Sequence, residues 1–204
     1  MPMFESALVE VGLKANDIVI VHSDISAFIN PFTNRDEFLG NLLQSFLNVL
    51  KDGTLVVPTY TYSFCKNEPF DVNTKSKMGA FAEFVRKRGV RSSDPIFSHA
   101  AIGGKAKELM DTGDECFGDN SFFDKLYKLD GKIINFGMPF EPTFIHYIEK
   151  KFGVSYRYDK KFSGIANGKL KEVTYFVSPD LDNKNPILPV LYKKLTGLNL
   201  IKKV

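Results

Sequence analysis

Tryptophan is absent from this 204-residue chain, cysteine occurs twice and histidine three times. Each scarcity removes a class of chemistry. Cys65 and Cys116 form no CxxC pair and no His–Cys spacing, so they read as small apolar packing residues in a reducing compartment. His22, His99 and His146 show no HExxH or other ligand spacing, and no metal is expected. No apolar run approaches the roughly 18 residues of a membrane span, and the first segment, "MPMFESALVEVG", carries acids where a secretory leader would carry bases. A cytoplasmic protein with no membrane partner is the expectation. The net charge of +3, from 27 basic and 24 acidic residues, is small and scattered, which argues against a nucleic-acid partner. There is no GxSxG elbow and no Walker loop, and the glycine pair in "AIGGKAK" has the spacing of neither.

What remains is ordinary globular material, 44% hydrophobic and 25% charged, read as one domain over residues 1–204. "DIVIVHS" and "GTLVVPTYTYSF" are runs of a kind buried on both faces of a sheet. "NRDEFLGNLLQSFLNVL" places apolar residues at 38, 39, 42, 43, 46, 47 and 50, a helical period, with Asn34 and Glu37 at capping-box spacing. Further helices are expected in "FESALVEVGL", "SKMGAFAEFVRKRG", "NSFFDKLYKL" and "PILPVLYKKLTG", and strands in "SHAAIG" (leading into "GKAKELMDT"), "GKIINFG" and "KLKEVTYFVS". The alternation of types argues α/β with a partly parallel sheet.

In open sheets of that kind ligands bind beyond the carboxyl ends of the strands. His22 and Ser23 follow one strand, Thr59 and Tyr60 a second, and Gly137 a third, just ahead of "EPTFIHYIEKK". His146 falls in the first turn of that helix whether Glu141 or Thr143 caps it, and there the macrodipole disfavours an imidazolium. A neutral imidazole is the form a general base requires. Glu149, three residues on, shares its helix face and can orient the ring.

Five motifs in order resemble the aminoglycoside 3-N-acetyltransferase family, whose acetyl-CoA-dependent fold differs from that of the GNAT enzymes. "VHSDIS" (21–26) is similar to its VHSSLS, and "GTLVVPTYTYSF" (53–64) to its GTLVMPTYT. "EPFDVNTKSKMGAFAEFVRKRGVRSSDPIFSHAAIG" (68–103) follows its PFD, MG, FR and RSxHPxxSxxAxG series. "CFGDNSFFDKL" (116–126) follows FGxxSPxxKL, and "PTFIHYIE" (142–149) follows TxxHxxE. Together they cover residues 17–150. Asp94 stands where the family usually has His before the proline, and the region 151–204 is shorter than the family's tail.

The resemblance implies a three-layer α/β/α fold with a central mixed sheet, and direct transfer of acetyl from acetyl-CoA to an amine of an aminoglycoside or related amino sugar. It implies a catalytic group of His146, Glu149 and His22, with no metal. Ser23, Ile25, Ser26, Arg91, Ser92 and Ser98 would then face acetyl-CoA, Arg91 as a phosphate fork. Asp71 would meet the acceptor's ammonium groups, with Thr59, Tyr60, Asp180 and Asp182 also on the acceptor side. A monomer or homodimer is expected. Two alternatives stay open: a biosynthetic N-acyltransferase of a nucleotide-linked or cell-surface amino sugar, and a non-catalytic CoA-binding remnant.

Overall fold

A computed structural model describes residues 2–29, 34–140, 142–178, 187–198 and 201–202. Asp180 and Asp182, and Glu141 with them, lie outside the described residues.

The chain opens with α1 (Pro2–Glu10), β1 (Ile18–Ser23), α2 (Arg35–Leu50), β2 (Thr54–Pro58) and α3 (Gly79–Arg86). It continues through β3 (Val90–Arg91), β4 (His99–Gly103), α4 (Ala106–Met110), α5 (Phe122–Lys128) and β5 (Lys132–Phe136). It ends with α6 (Ile145–Phe152), β6 (Tyr158–Ala166), β7 (Lys169–Val177) and α7 (Ile187–Gly197). The Asn34 side chain accepts the Glu37 N–H at 3.3 Å, as the capping-box spacing anticipates.

Five strands form a mixed sheet in the order β3-β4-β2-β1-β5. β1 runs parallel to β2 and to β5, whereas β4 is antiparallel to β2 and β3 to β4. Alternation along the strands sends side chains into two cores. Val19, Val21, Leu55 and Val57 pack with Leu42, Phe46, Phe81 and Val85 of α2 and α3. Ile18, Ile20, Val56 and Ala101 pack with Leu109, Phe122, Phe123 and Tyr147 of α4, α5 and α6. These are the three layers expected.

β6 and β7 make a separate two-stranded sheet. Only β7 is anticipated above. The turn between them is Asn167-Gly168, with φ of 50° and 76°, the backbone that an Asn-Gly hairpin turn adopts. The hairpin drops Val173 and Phe176 into the core under α6. It also pairs with two loops of the main body, through bridges from Ala166 to Phe70 and from Thr174 to Glu115.

Candidate active site

The parallel strands β1, β2 and β5 end on one edge of the sheet. Because β4 runs the other way, its first residue, His99, arrives at the same edge opposite Pro58. His22 sits beside Asn135 in register and shares the strand face of Ile18 and Ile20. This edge is where the sequence reading put its candidates, and the structure divides them.

Much of the strand edge is scaffold. Arg91 is expected as a free phosphate fork, but its guanidinium is buried and all five of its N–H groups have protein acceptors. Nε donates to Thr59 Oγ1 at 3.1 Å, Nη1 to Val72 O at 3.0 Å and to Thr74 O, and Nη2 to Thr59 O at 2.7 Å and Ser98 Oγ at 3.0 Å. Burial lowers its pKa to about 10, so it stays charged at neutral pH. Its role is to hold the loop that follows Phe70. Ser98 and Thr59, both fully enclosed, are the other half of that lock, since Ser98 Oγ also donates to Thr59 O at 2.7 Å. Ser92 is buried and accepts the His99 N–H at 3.0 Å. Contact of Ser92 and Ser98 with CoA, and of Thr59 with the acceptor, is thereby corrected: these hydroxyls face inward. Tyr60 is equally enclosed, its hydroxyl 3.3 Å from His99 Nε2, and it is corrected likewise.

His22 is also buried, and its Nε2 has no partner; His99 Nδ1 and Asn135 Oδ1 are unpartnered in the same way. Desolvation pulls the His22 pKa down to about 4, and desolvation followed by the nearness of His22 pushes His99 well below the usual imidazole range. Both rings are therefore neutral at pH 7. The ring of Phe122 stacks on His99 at 3.7 Å.

The loop after β1 is more open. Ser23 is half-buried and Ser26 exposed, with Ile25 tucked in between. Two backbone donors of this loop are already used, Asp24 N by Phe136 O and Ser26 N by Asp24 Oδ1, both at 2.9 Å.

Asp71 lies exposed on the loop that Arg91 holds. Its Oδ1 accepts Asn73 N at 2.6 Å, and Val72 O also takes Arg86 Nη1 at 2.9 Å. The hairpin adds a third restraint, Phe70 N donating to Ile165 O at 2.9 Å and Val72 N to Asn167 Oδ1 at 3.2 Å. Asp94, at the family's histidine position, accepts Ile96 N at 2.8 Å and Phe97 N at 2.9 Å. A carboxylate thus closes a turn there.

His146 is the second residue of α6. The residue before the helix is Phe144, with no side-chain cap, so the expected capping by Thr143 is corrected. A tight first turn replaces it, with Ile145 N and His146 N each donating three residues back at 3.1 Å. The ring is 23% exposed and Glu149 only 4%, and Nδ1 lies 2.8 Å from Glu149 Oε2. Desolvation lowers the His146 pKa, opposed by the bond to Glu149 and assisted by Arg157. Burial is therefore the largest cause favouring the neutral imidazole.

Two residues around Glu149 escaped the sequence reading. Tyr156 Oη donates to Oε1 at 3.0 Å, and Arg157 Nε lies 2.7 Å from Oε2. The signal was present in "SYRYDKK", where a strand opens with a base flanked by tyrosines. Phe117 meets the His146 ring edge-on at 5.4 Å. Among the described residues no three His, Cys, Asp or Glu side chains cluster as a metal site would require, and no helix is long and apolar enough to cross a membrane.

A family model of aminoglycoside 3-N-acetyltransferases matches residues 20–192. The chain belongs to this family. It is accordingly an N-acetyltransferase by class, and solved structures of aminoglycoside acetyltransferases share its fold. AAC-IIIb in a binary complex with CoASH superposes with a TM-score of 0.81 at 18% identity, over 97% of this chain and 84% of that one. AAC-VIa bound to sisomicin gives 0.79 at 20% identity, over 96% and 85%. The AAC(3)-IVa apoenzyme gives 0.79 at 21% identity, over 100% and 78%.

Proposed function

We propose that this acetyltransferase moves the acetyl group of acetyl-CoA directly to an amine of an aminoglycoside or related amino sugar, with His146 as general base. The observation that carries the reading is the His146–Glu149 pair at 2.8 Å. With the proton of the neutral ring on Nδ1 and directed at the carboxylate, the lone pair is left on Nε2. Membership of the family and the CoA- and sisomicin-bound relatives support the choice of donor and acceptor.

The acceptor amine attacks the thioester carbon while His146 Nε2 removes its proton. The tetrahedral intermediate then expels the CoA thiolate, which the imidazolium can reprotonate, so the base is regenerated in each turnover. Holding both substrates in one complex supplies the proximity contribution. Glu149 keeps the ring in one tautomer and stabilises the imidazolium as it forms. The oxyanion needs donors; with Asp24 N and Ser26 N occupied, the Ser23 hydroxyl is one candidate from this loop. Ser23, Ile25 and Ser26 form the donor side. Asp71, pinned on its loop and exposed, meets an ammonium group of the acceptor. Thiol release from acetyl-CoA in the presence of sisomicin or apramycin tests the reading, with turnover expected in the parent and lost in His146→Ala.

A further inference from the structure

Arg157 immediately precedes β6, and its side chain is 9% exposed. Nη1 donates to Phe176 O on β7 at 3.3 Å, which fixes the guanidinium to the hairpin. Nε lies 2.7 Å from Glu149 Oε2, the oxygen that also meets His146 Nδ1. The Nε–H is not aimed at that oxygen and has no aligned acceptor, so the attraction is between charges rather than through a formed hydrogen bond. Among the described residues, Glu149 and Arg157 are the charged groups that act on the His146 ring, with opposite effects.

We infer that Arg157 is a positioning residue for acetyl transfer: from the foot of the hairpin it holds the buried Glu149 carboxylate against His146 and neutralises its charge. A carboxylate enclosed to this degree is costly to keep ionised without a cation. Left uncompensated, it would favour imidazolium and withdraw the base. Arg157 therefore makes the hairpin part of the catalytic apparatus. The inference rests on the role proposed for His146.

The test uses the full chain with Arg157→Ala, Arg157→Gln and Arg157→Lys. Proton NMR titration of the three histidines, with His146 assigned by the signal lost in His146→Ala, needs no acceptor. It therefore reads Arg157 separately from the proposed reaction. The expected result is that His146 titrates at higher pH in the Ala and Gln variants and returns toward the parent value in Lys. With acetyl-CoA and sisomicin, kcat at neutral pH falls by up to about a hundredfold, the scale on which a misplaced group acts, while both KM values stay near those of the parent. If Ala fails to fold, Gln and Lys carry the comparison, since they differ in charge at similar length. Parent-like titration and kcat in a folded Ala or Gln variant would overturn the inference. So would a loss of kcat that leaves the titration unmoved and is not restored by Lys, because that describes a structural contact only.

Discussion

Arg91 and Arg157 are both enclosed, and each joins distant parts of the chain, yet their surroundings differ in kind. Arg91 spends every N–H on neutral carbonyls and hydroxyls, and nothing is left over for a ligand. Arg157 is set against a carboxylate that is itself bonded to an imidazole. The histidines repeat the contrast. Burial depresses both His22 and His146, but His22 is nearly sealed at the strand edge, while His146 keeps part of its ring open and has a carboxylate to receive positive charge. The saturated, neutral surroundings of Arg91 fit a scaffold role; a partly open ring with a compensated acid behind it fits the base proposed here.

The sharpest way to break this comparison is to remove one residue from each side. His146→Ala is expected to lower turnover by about 10²- to 10⁴-fold, the usual contribution of a general base, with the melting temperature and acetyl-CoA affinity close to the parent's. Calorimetry beside the thiol-release assay checks both halves. Arg91→Ala should do the reverse. It strands Thr74 O and takes one of two donors from each of Thr59 O and Val72 O, and should cost about 1–3 kcal/mol in denaturant unfolding. Acetyl-CoA affinity should change little, and a selective loss of CoA binding in a fully stable variant would restore Arg91 as a phosphate ligand.

His22 sharpens the comparison through pH. Its folded pKa, about 4, lies below the ordinary value of 6.5, so the folded state binds fewer protons than the unfolded chain. The contribution is complete above pH 6.5 and is lost as pH falls toward 4. It amounts to about 2 kcal/mol by pH 5. Urea unfolding at pH 7 and pH 5 should show that loss in the parent and a smaller one in His22→Asn. A smaller effect is expected at Asp71, where the carboxylate is exposed and screened. Asp71→Asn should raise KM for the amine about tenfold or less, on the scale of one charge-assisted contact. An effect confined to acetyl-CoA would place Asp71 on the other substrate.

The layers, the parallel strands and the positions of His146 and Glu149 were legible because they follow from local periods: β-branched runs, a 3.6-residue repeat, and an i, i+3 pair on one helix face. The motifs of the resemblance located the same residues. Reading strand ends as ligand-facing failed at Thr59 and Tyr60, and the resemblance failed at Ser92 and Ser98, since whether a hydroxyl faces in or out depends on the partner that meets it. For Thr59 that partner is Arg91, 32 residues away in sequence. β6 was missed because "YDKKFSGIA" is mostly exposed and lacks a continuous apolar run, although Asn167-Gly168 was a local signal for the hairpin. Missing β6 also hid Arg157 and Tyr156, whose importance comes from the carboxylate they reach.

The central claim is that a neutral His146, backed by Glu149, accepts the amine proton. It is tested most directly by measuring the His146 titration by NMR and the pH dependence of acetyl transfer on the same protein. Because desolvation lowers the His146 pKa, the account predicts that the ring titrates below 6.5 and that activity is lost as pH falls through the pKa of the ring. An imidazole still charged at pH 7, or an acid limb that does not follow its titration, would contradict it.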